Sequence, residues 1–329
     1  MNILITGGAG YIGSHVCLNL LDKGHNVTVI DDLSIGHEKL IPKKTEFIKA
    51  NINDTETLNK LFQKKSFDAL MHLAGFIQVE ESVKYPDKYF NNNTKNAAIL
   101  FENCSNNGLK NIIFASTAAV YGNPNKKTIK EGTDLNPLNP YGESKVQTEN
   151  KLIQMQKENK INYLILRYFN VAGADPKLRS GLISKKTTHL IKIITEAVVG
   201  KRDSVTIFGN DYNTPDGTAI RDYIHVSDLA DIHVKSLEYL LEKKQSIIMN
   251  CGYGKGYSVK QVLDAMNKIC NRKIKIEYGN RRSGDTVSLV SDTSKLKKTI
   301  KWTPNYNNLE TILDTAIKWE VKLQKEKIL

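Results

Sequence analysis

Arginine is scarce in this chain. Of 47 basic residues only Arg167, Arg179, Arg202, Arg221, Arg272, Arg281 and Arg282 are arginine. The net charge of +12 therefore comes from lysine, spread along the chain with no basic arm. That distribution fits a solvated surface and argues against a nucleic-acid face. Lysine serves where charge alone is needed, whereas a flat fork gripping a phosphate calls for arginine. The few arginines are thus candidates for specific work. Cysteine is sparse too. Cys17, Cys104, Cys251 and Cys270 are scattered with no CxxC pair. This excludes a disulfide framework and a zinc site, and predicts reduced thiols in a cytoplasmic protein that needs no metal. No apolar run of about 18 residues occurs, so no membrane span is expected. The N-terminal apolar residues follow no basic leader and read as a strand, so no signal peptide is expected. Internal repeats, low-complexity tracts and long linkers are absent as well.

What is present is a rhythm. At 329 residues the chain is long enough for one large domain or two small ones. Strand-like runs fall at residues 3–6, 27–31, 46–50, 69–73, 111–115 and 163–167. Helical patterns lie between them, at 13–23, 55–64, 89–107 and 140–159. This alternation predicts an α/β, doubly wound parallel sheet of the Rossmann kind. After about residue 170 the rhythm breaks. Turn-rich stretches at 171–181 and 209–217 flank a helix at 188–199. Further helices are expected at 226–242, 258–271 and 308–325, and strands at 205–208, 247–250 and 273–278. Residues 1–170 thus read as a dinucleotide-binding domain. Residues 171–329 read as a smaller substrate-binding lobe, with segments crossing back.

Two motifs carry the chemistry. Gly7, Gly10 and Gly13 sit between the first strand and the first helix. The first glycine permits a tight turn, the second lets backbone approach a pyrophosphate, and the third lets helix and sheet pack closely. The helix N-terminus then offers free N–H groups and a positive dipole. Asp31 ends the next strand. A carboxylate there accepts ribose hydroxyls and repels a 2′-phosphate, which favours NAD over NADP. The second motif is Tyr141-Gly142-Glu143-Ser144-Lys145. Asn139-Pro140 before it reads as an N-cap and a first-turn proline. Tyr141 and Lys145 then share one helix face, with Cβ atoms about 5–6 Å apart. A free tyrosine titrates near pH 10. A nearby ammonium, an oxidised nicotinamide and a helix N-terminus all favour the phenolate. Tyr141 can then take a proton from a hydroxyl and return one.

These motifs, with Ala74-Gly75, Glu81-Ser82-Val83, Asn91-Asn92-Asn93, Val120-Tyr121-Gly122 and Arg167-Tyr168-Phe169-Asn170, resemble the extended short-chain dehydrogenase/reductase family. The resemblance spans nearly the whole chain. It continues through Val171-Ala172-Gly173, Ile207-Phe208-Gly209-Asn210-Asp211-Tyr212, Arg221-Asp222-Tyr223-Ile224-His225-Val226 and Arg281-Arg282-Ser283-Gly284-Asp285. The stretch 207–226 resembles the nucleotide-sugar epimerases of that family. The resemblance implies Tyr141 and Lys145 as catalytic residues, with a third hydroxyl from Thr117 or the neighbouring Ser116. It implies NAD contacts at Tyr11, Ile12, Asp32, Asn51, Ile52, Leu73, Ala74, Gly75, Asn92 and Tyr168. It implies a UDP-sugar site built from Asn170, His189, Leu190, Thr206, Ile207, Phe208, Arg221, Tyr223, Arg282, Asp285 and Leu289. Where some members carry a lysine near the cofactor, this chain has Ile77.

The implied activity is NAD-dependent inversion at C4 of a UDP-hexose, interconverting the glucose and galactose forms. Transient oxidation, rotation of the 4-keto sugar and hydride return would accomplish it. Leu289 is smaller than the tyrosine some members carry there, so an N-acetylated sugar stays open as an alternative. A 4,6-dehydratase needs an extra acid and base, typically an Asp-Glu pair directly after the catalytic threonine; here Ala118-Ala119 follow Thr117. A non-catalytic dinucleotide sensor would have no use for the Tyr141–Lys145 pair. The resemblance also implies a homodimer through helices at 89–107 and 140–159.

Overall fold

The computed structural model describes residues 1–184, 187–282 and 284–328. Ser283 of the Arg281–Asp285 motif and the terminal Leu329 lie outside the described residues. The strands are β1 (Asn2–Thr6), β2 (Asn26–Asp31), β3 (Glu46–Lys49), β4 (Ala69–His72), β5 (Asn111–Thr117), β6 (Asn162–Tyr168), β7 (Asn170–Ala172), β8 (Val205–Phe208), β9 (Ile220–His225), β10 (Ile247–Cys251), β11 (Gly256–Ser258), β12 (Ile276–Gly279) and β13 (Ser288–Leu289). Seven form one sheet in the order β3-β2-β1-β4-β5-β6-β10. Every pairing in it is parallel. The run 247–250, read as part of the second lobe, thus supplies the edge strand of the main sheet beside β6.

Both faces of the sheet are covered, which is why its strands are continuously apolar. On one face lie helices Tyr11–Asp22 and Val226–Lys243, burying Val16, Leu20, Leu229 and Leu237 against Ile3, Ile5 and Val29. On the other lie Thr55–Lys64, Ala97–Asn106 and Pro140–Lys157, burying Leu58, Leu100, Phe101 and Leu152 against Leu4, Leu70 and Phe114. The second lobe gathers β7, β9, β11 and β13 in one small sheet and β8 with β12 in another. Helices Leu190–Val198, Val259–Cys270 and Leu309–Lys325 pack there on Ile207, Tyr223 and Ile274.

One element departs from its expectation. The helix predicted at 89–107 divides into Pro86–Tyr89, a π-helical Phe90–Asn96 and an α-helical Ala97–Asn106. Apolar periodicity cannot register one widened turn, which depends on tertiary hydrogen bonds.

Candidate active site

The glycine turn leaves β1 and enters helix Tyr11–Asp22, whose N-cap is Gly10. Gly7 has φ +75°, and a Cβ there would lie 2.5 Å from the Ala74 backbone nitrogen. A Cβ on Gly13 would lie 2.1 Å from the Gly7 carbonyl oxygen. No side chain fits either position, so the turn packs closely against residues 73–74 and the helix packs closely against the turn. Asp31 closes the turn. Its Oδ2 accepts from Ala9 N–H at 3.0 Å and its Oδ1 from Leu33 N–H at 2.9 Å. Asp32 accepts from Asn51 Nδ2 at 2.9 Å, so those two residues sit together. Ile52 is buried in the core beneath. Tyr11 donates from its hydroxyl to the Gly173 carbonyl at 2.6 Å, fastening this turn to the second lobe. Leu73, Ala74 and Gly75 follow β4, and Leu73 N–H donates to Thr6 C=O at 3.0 Å.

Opposite, Asn139 caps helix Pro140–Lys157 by accepting from Gly142 N–H at 2.9 Å, with Pro140 in the first turn. Tyr141 lies in that turn, half-buried, and Lys145 one turn on is 4% exposed. The Lys145 ammonium donates to Ala115 C=O at 2.9 Å and lies 4.8 Å over the Phe114 ring. Burial lowers its pKa to about 8, against an opposing pull from the Glu149 carboxylate. Burial also raises the Tyr141 phenol above its ordinary value, while a hydrogen bond from Thr117 works the other way. The phenol is therefore protonated at neutral pH until further positive charge stands beside it.

The two candidate hydroxyls at the end of β5 have different partners, both on helix Pro140–Lys157. Thr117 faces Tyr141. Ser116 is buried and donates to Glu149 Oε1 at 2.5 Å, two turns further along that helix. Glu149 in turn pairs with Arg167, through Nε at 3.0 Å and NH2 at 2.5 Å. Arg167 reaches the Tyr121 hydroxyl at 2.9 Å, and Tyr121 reaches Asn250 Oδ1 at 2.7 Å. This buried network underlies the end of β5. Its residues lie far apart in sequence, so only tertiary structure reveals it.

The second lobe gathers two arginines around Asp285. Arg282 donates through Nε to Asp285 Oδ2 at 2.9 Å and lies 4.9 Å over the exposed Phe208 ring. Arg221 NH2 is 3.9 Å from Asp285 Oδ1 and donates through NH1 to Ile220 C=O at 2.8 Å. Asn170, His189, Leu190 and Tyr223 line a small cavity of about 40 Å³. His189 N-caps helix Leu190–Val198, with backbone N–H groups behind it. Leu289 pairs in register with Arg221 and packs beside Phe169 and Tyr121.

Two side chains lie away from the cleft. Ile207 points into the lobe core, 1% exposed, because it alternates with Thr206 and Phe208 along β8. Tyr168 is buried, with its hydroxyl 2.5 Å from His233 Nε2. Each offers the site no polar side-chain atom. Asn92 lies on the π-helical turn and donates to Asn93 Oδ1 at 3.1 Å.

A glycine turn and a Tyr–Lys pair at the carboxyl ends of parallel strands, facing an arginine-lined lobe, define a dinucleotide-dependent enzyme for an anionic substrate. The chain belongs to the NAD dependent epimerase/dehydratase family, which it matches over residues 3–252. It is 43% identical to a UDP-glucose 4-epimerase of Azospirillum brasilense over 323 residues, 98% of this chain and 93% of the relative. A crystal structure of the Stenotrophomonas maltophila UDP-glucose 4-epimerase, with bound NAD and formylated UDP-arabinopyranose, superposes at TM-score 0.96 and 31% identity over 99% of both chains. The UDP-Glc/GlcNAc 4-epimerase of Campylobacter jejuni matches at 42% identity and TM-score 0.85, over 98% of this chain and 99% of that one.

Proposed function

We propose that this protein interconverts UDP-glucose and UDP-galactose with NAD as its resident cofactor. The observation that carries the reading is the meeting, at one end of the sheet, of an acid/base pair, a dinucleotide cradle and a separate arginine anchor. Gly7 and Gly13 fix the close turn and helix packing, and at Gly10 a Cβ would meet only the Gly7 carbonyl oxygen at 3.1 Å, which leaves bare backbone open to a pyrophosphate. Gly10, Tyr11 and Ile12 would present N–H groups to it. Asp31 retains lone pairs for ribose hydroxyls, and Asp32, Asn51 and Ile52 border the adenine side. Leu73, Ala74, Gly75, Asn92 and Lys145 would hold the nicotinamide end. When bound, the nicotinamide supplies a reversible hydride acceptor for sugar C4.

The rest falls to the chain itself. Tyr141 takes the proton from the sugar 4-hydroxyl and later returns one. Thr117 shares that hydrogen bond. Lys145 contributes positive charge that lowers the phenol pKa. Arg221, Arg282 and Asp285, with Asn170, His189, Leu190, Thr206, Phe208 and Tyr223, hold the uridine diphosphate while Leu289 borders the sugar. Inversion requires the 4-keto sugar to turn over while its diphosphate stays fixed. A tight grip remote from C4 and a loose one around the sugar allow this, with binding energy used away from the reacting carbon.

We read residues 1–170 as the dinucleotide-binding part and 171–329 as mainly the substrate lobe, with helix Val226–Lys243 and β10 crossing back. We also propose a homodimer through helices Ala97–Asn106 and Pro140–Lys157, where Ile99 is 38% exposed. A cytoplasmic setting suits the four unpaired thiols. Among the described residues no helix is long and apolar enough to cross a membrane. The test is to incubate the purified protein with UDP-galactose, without added cofactor, and follow UDP-glucose. Conversion with NAD released on denaturation is the expected result. No conversion, even with NAD supplied, refutes the reading.

A further inference from the structure

Residues 73–78, between β4 and helix Val79–Lys84, form neither helix nor strand, yet they pass close to Lys145. Backbone polar groups in such a segment need partners. Two side chains supply them. Asn93 accepts from Phe76 N–H through Oδ1 at 2.9 Å and donates to Phe76 C=O through Nδ2 at 2.9 Å. The Tyr89 hydroxyl accepts from Gln78 N–H at 3.1 Å and lies 2.7 Å from Gln78 C=O and 2.8 Å from Glu81 Oε2. One hydroxyl proton is thus shared between a carbonyl and a carboxylate. Each side chain serves both polar groups of one residue, as a neighbouring strand would. Tyr89 and Asn93 are 0% and 1% exposed. They are four residues apart, and the turn between them is the π-helical segment, a feature often found at functional sites.

The same two residues touch the catalytic helix. Asn93 Nδ2 also reaches Ser144 Oγ at 3.2 Å, and Asn93 C=O accepts from the Thr148 hydroxyl at 2.7 Å. The Tyr89 ring meets the Tyr141 ring edge-on, with centroids 6.4 Å apart. A Cβ on Gly75 would lie 3.2 Å from Asn93 Oδ1 and 3.3 Å from Lys145 Nζ. The segment, the π-helical turn and the Tyr141–Lys145 turn therefore form one hydrogen-bonded body.

We infer that Tyr89 and Asn93 are positioning residues. They hold Gly75–Gln78 as a wall of the reacting pocket, at a fixed distance from Tyr141 and Lys145. This rests on the function proposed above. Glu81 and Lys88 complete the support, for Lys88 pairs with Glu81 at 2.8 Å and lies 4.2 Å over the Phe76 ring. Misplacement of about 1 Å at a reacting centre costs on the order of 100-fold in rate, so a loosened wall shows in turnover before it shows in binding.

The test uses the full-length, dinucleotide-loaded protein. Tyr89→Phe keeps the ring and removes the hydroxyl; Asn93→Asp keeps the acceptor for Phe76 N–H and removes the donors. Two quantities are read: hydrogen exchange of the peptide covering residues 75–81, and kcat and KM for UDP-galactose per bound dinucleotide. Expected are faster exchange at Gln78 in Tyr89→Phe, and a kcat loss of about tenfold or more in each variant. KM should stay within about twofold of wild type. Tyr89→Leu, which also removes the edge-on ring contact, should fall below Tyr89→Phe. Unchanged exchange, or faster exchange with unchanged kcat per bound dinucleotide, overturns the inference. A lower melting temperature alone would mark a merely structural role and overturn it equally. If the wild type fails to turn over UDP-galactose the proposed function falls, while exchange still decides whether these side chains hold the segment.

Discussion

Glu149→Gln tests how the buried network at the end of β5 serves Tyr141 and Lys145 on the same helix. Glu149 and Arg167 are 1% and 3% exposed. Removing one charge of such a pair leaves the other uncompensated, at a cost of about 3–5 kcal/mol. Glutamine retains an acceptor for Arg167 or Ser116, which puts the loss near the lower figure. Unfolding entropy of about 2.1 cal/mol/K per residue amounts to about 0.7 kcal/mol/K over 329 residues. A loss of about 3 kcal/mol therefore lowers Tm by about 4 °C. The second effect is electrostatic. The Glu149 carboxylate raises the Lys145 pKa against a larger lowering by burial, and the balance stands at about 8. Without that carboxylate the balance falls further. Lys145 is charged below its pKa and neutral above it, so activity that needs the ammonium should be lost at a lower pH. The assay is calorimetry together with kcat between pH 6 and 10, on the range set by ordinary His and Lys titration. Glu149→Gln/Arg167→Met should recover stability, since no orphan charge remains, yet keep the displaced alkaline limb. An alkaline limb unmoved in both variants would refute the coupling; a Tm unchanged in Glu149→Gln would refute the energetics.

Lys145→Met should abolish turnover and stabilise the dinucleotide-free protein. Its folded pKa of about 8 lies below the ordinary lysine value of 10.5, pushed down by burial. The penalty is full below about pH 8 and fades as pH rises toward the unfolded value, with a ceiling of about 3 kcal/mol. A Tm difference that fails to shrink between those limits contradicts this sign. Gly13→Ala should strip bound dinucleotide from the purified protein, because its Cβ would meet the Gly7 carbonyl oxygen at 2.1 Å; retention of a full complement on denaturing release speaks against the cradle. Arg282→Lys keeps a charge but loses the fork on Asp285 and the flat contact with Phe208. KM for the UDP-sugar should rise about tenfold with kcat nearly unchanged, and an equal fall in kcat would place Arg282 in the reacting step instead.

Much of this arrangement is legible in the sequence where chemistry is local. The first six strands, the glycine turn and the Asn139-Pro140 cap each depend on neighbouring residues, and the structure shows each of them. The seventh strand is legible as a strand at 247–250, but nothing in its own residues says that it joins β6. The π-helical Phe90–Asn96 escapes any 3.6-residue period because Thr148, outside the segment, holds its Asn93 carbonyl. Glu149 and Arg167 are invisible as a pair for a similar reason, being on a helix and on a strand. The choice between Ser116 and Thr117 is not legible in the sequence, because Tyr141 and Glu149 lie on one helix and only tertiary structure shows that Thr117 meets the first and Ser116 the second. Ile207 and Tyr168 show the converse, since membership in a site motif does not aim a side chain. Along β8 alternation turns Ile207 inward, and His233 captures the Tyr168 hydroxyl.

Deuterium placed at sugar C4 of UDP-galactose tests the central claim most directly. If hydride leaves and returns within one protein molecule while Tyr141 handles only the hydroxyl proton, the UDP-glucose formed carries its deuterium at C4. Loss of that deuterium to water, with inversion still proceeding, would show that C4 is deprotonated rather than oxidised and would contradict the account.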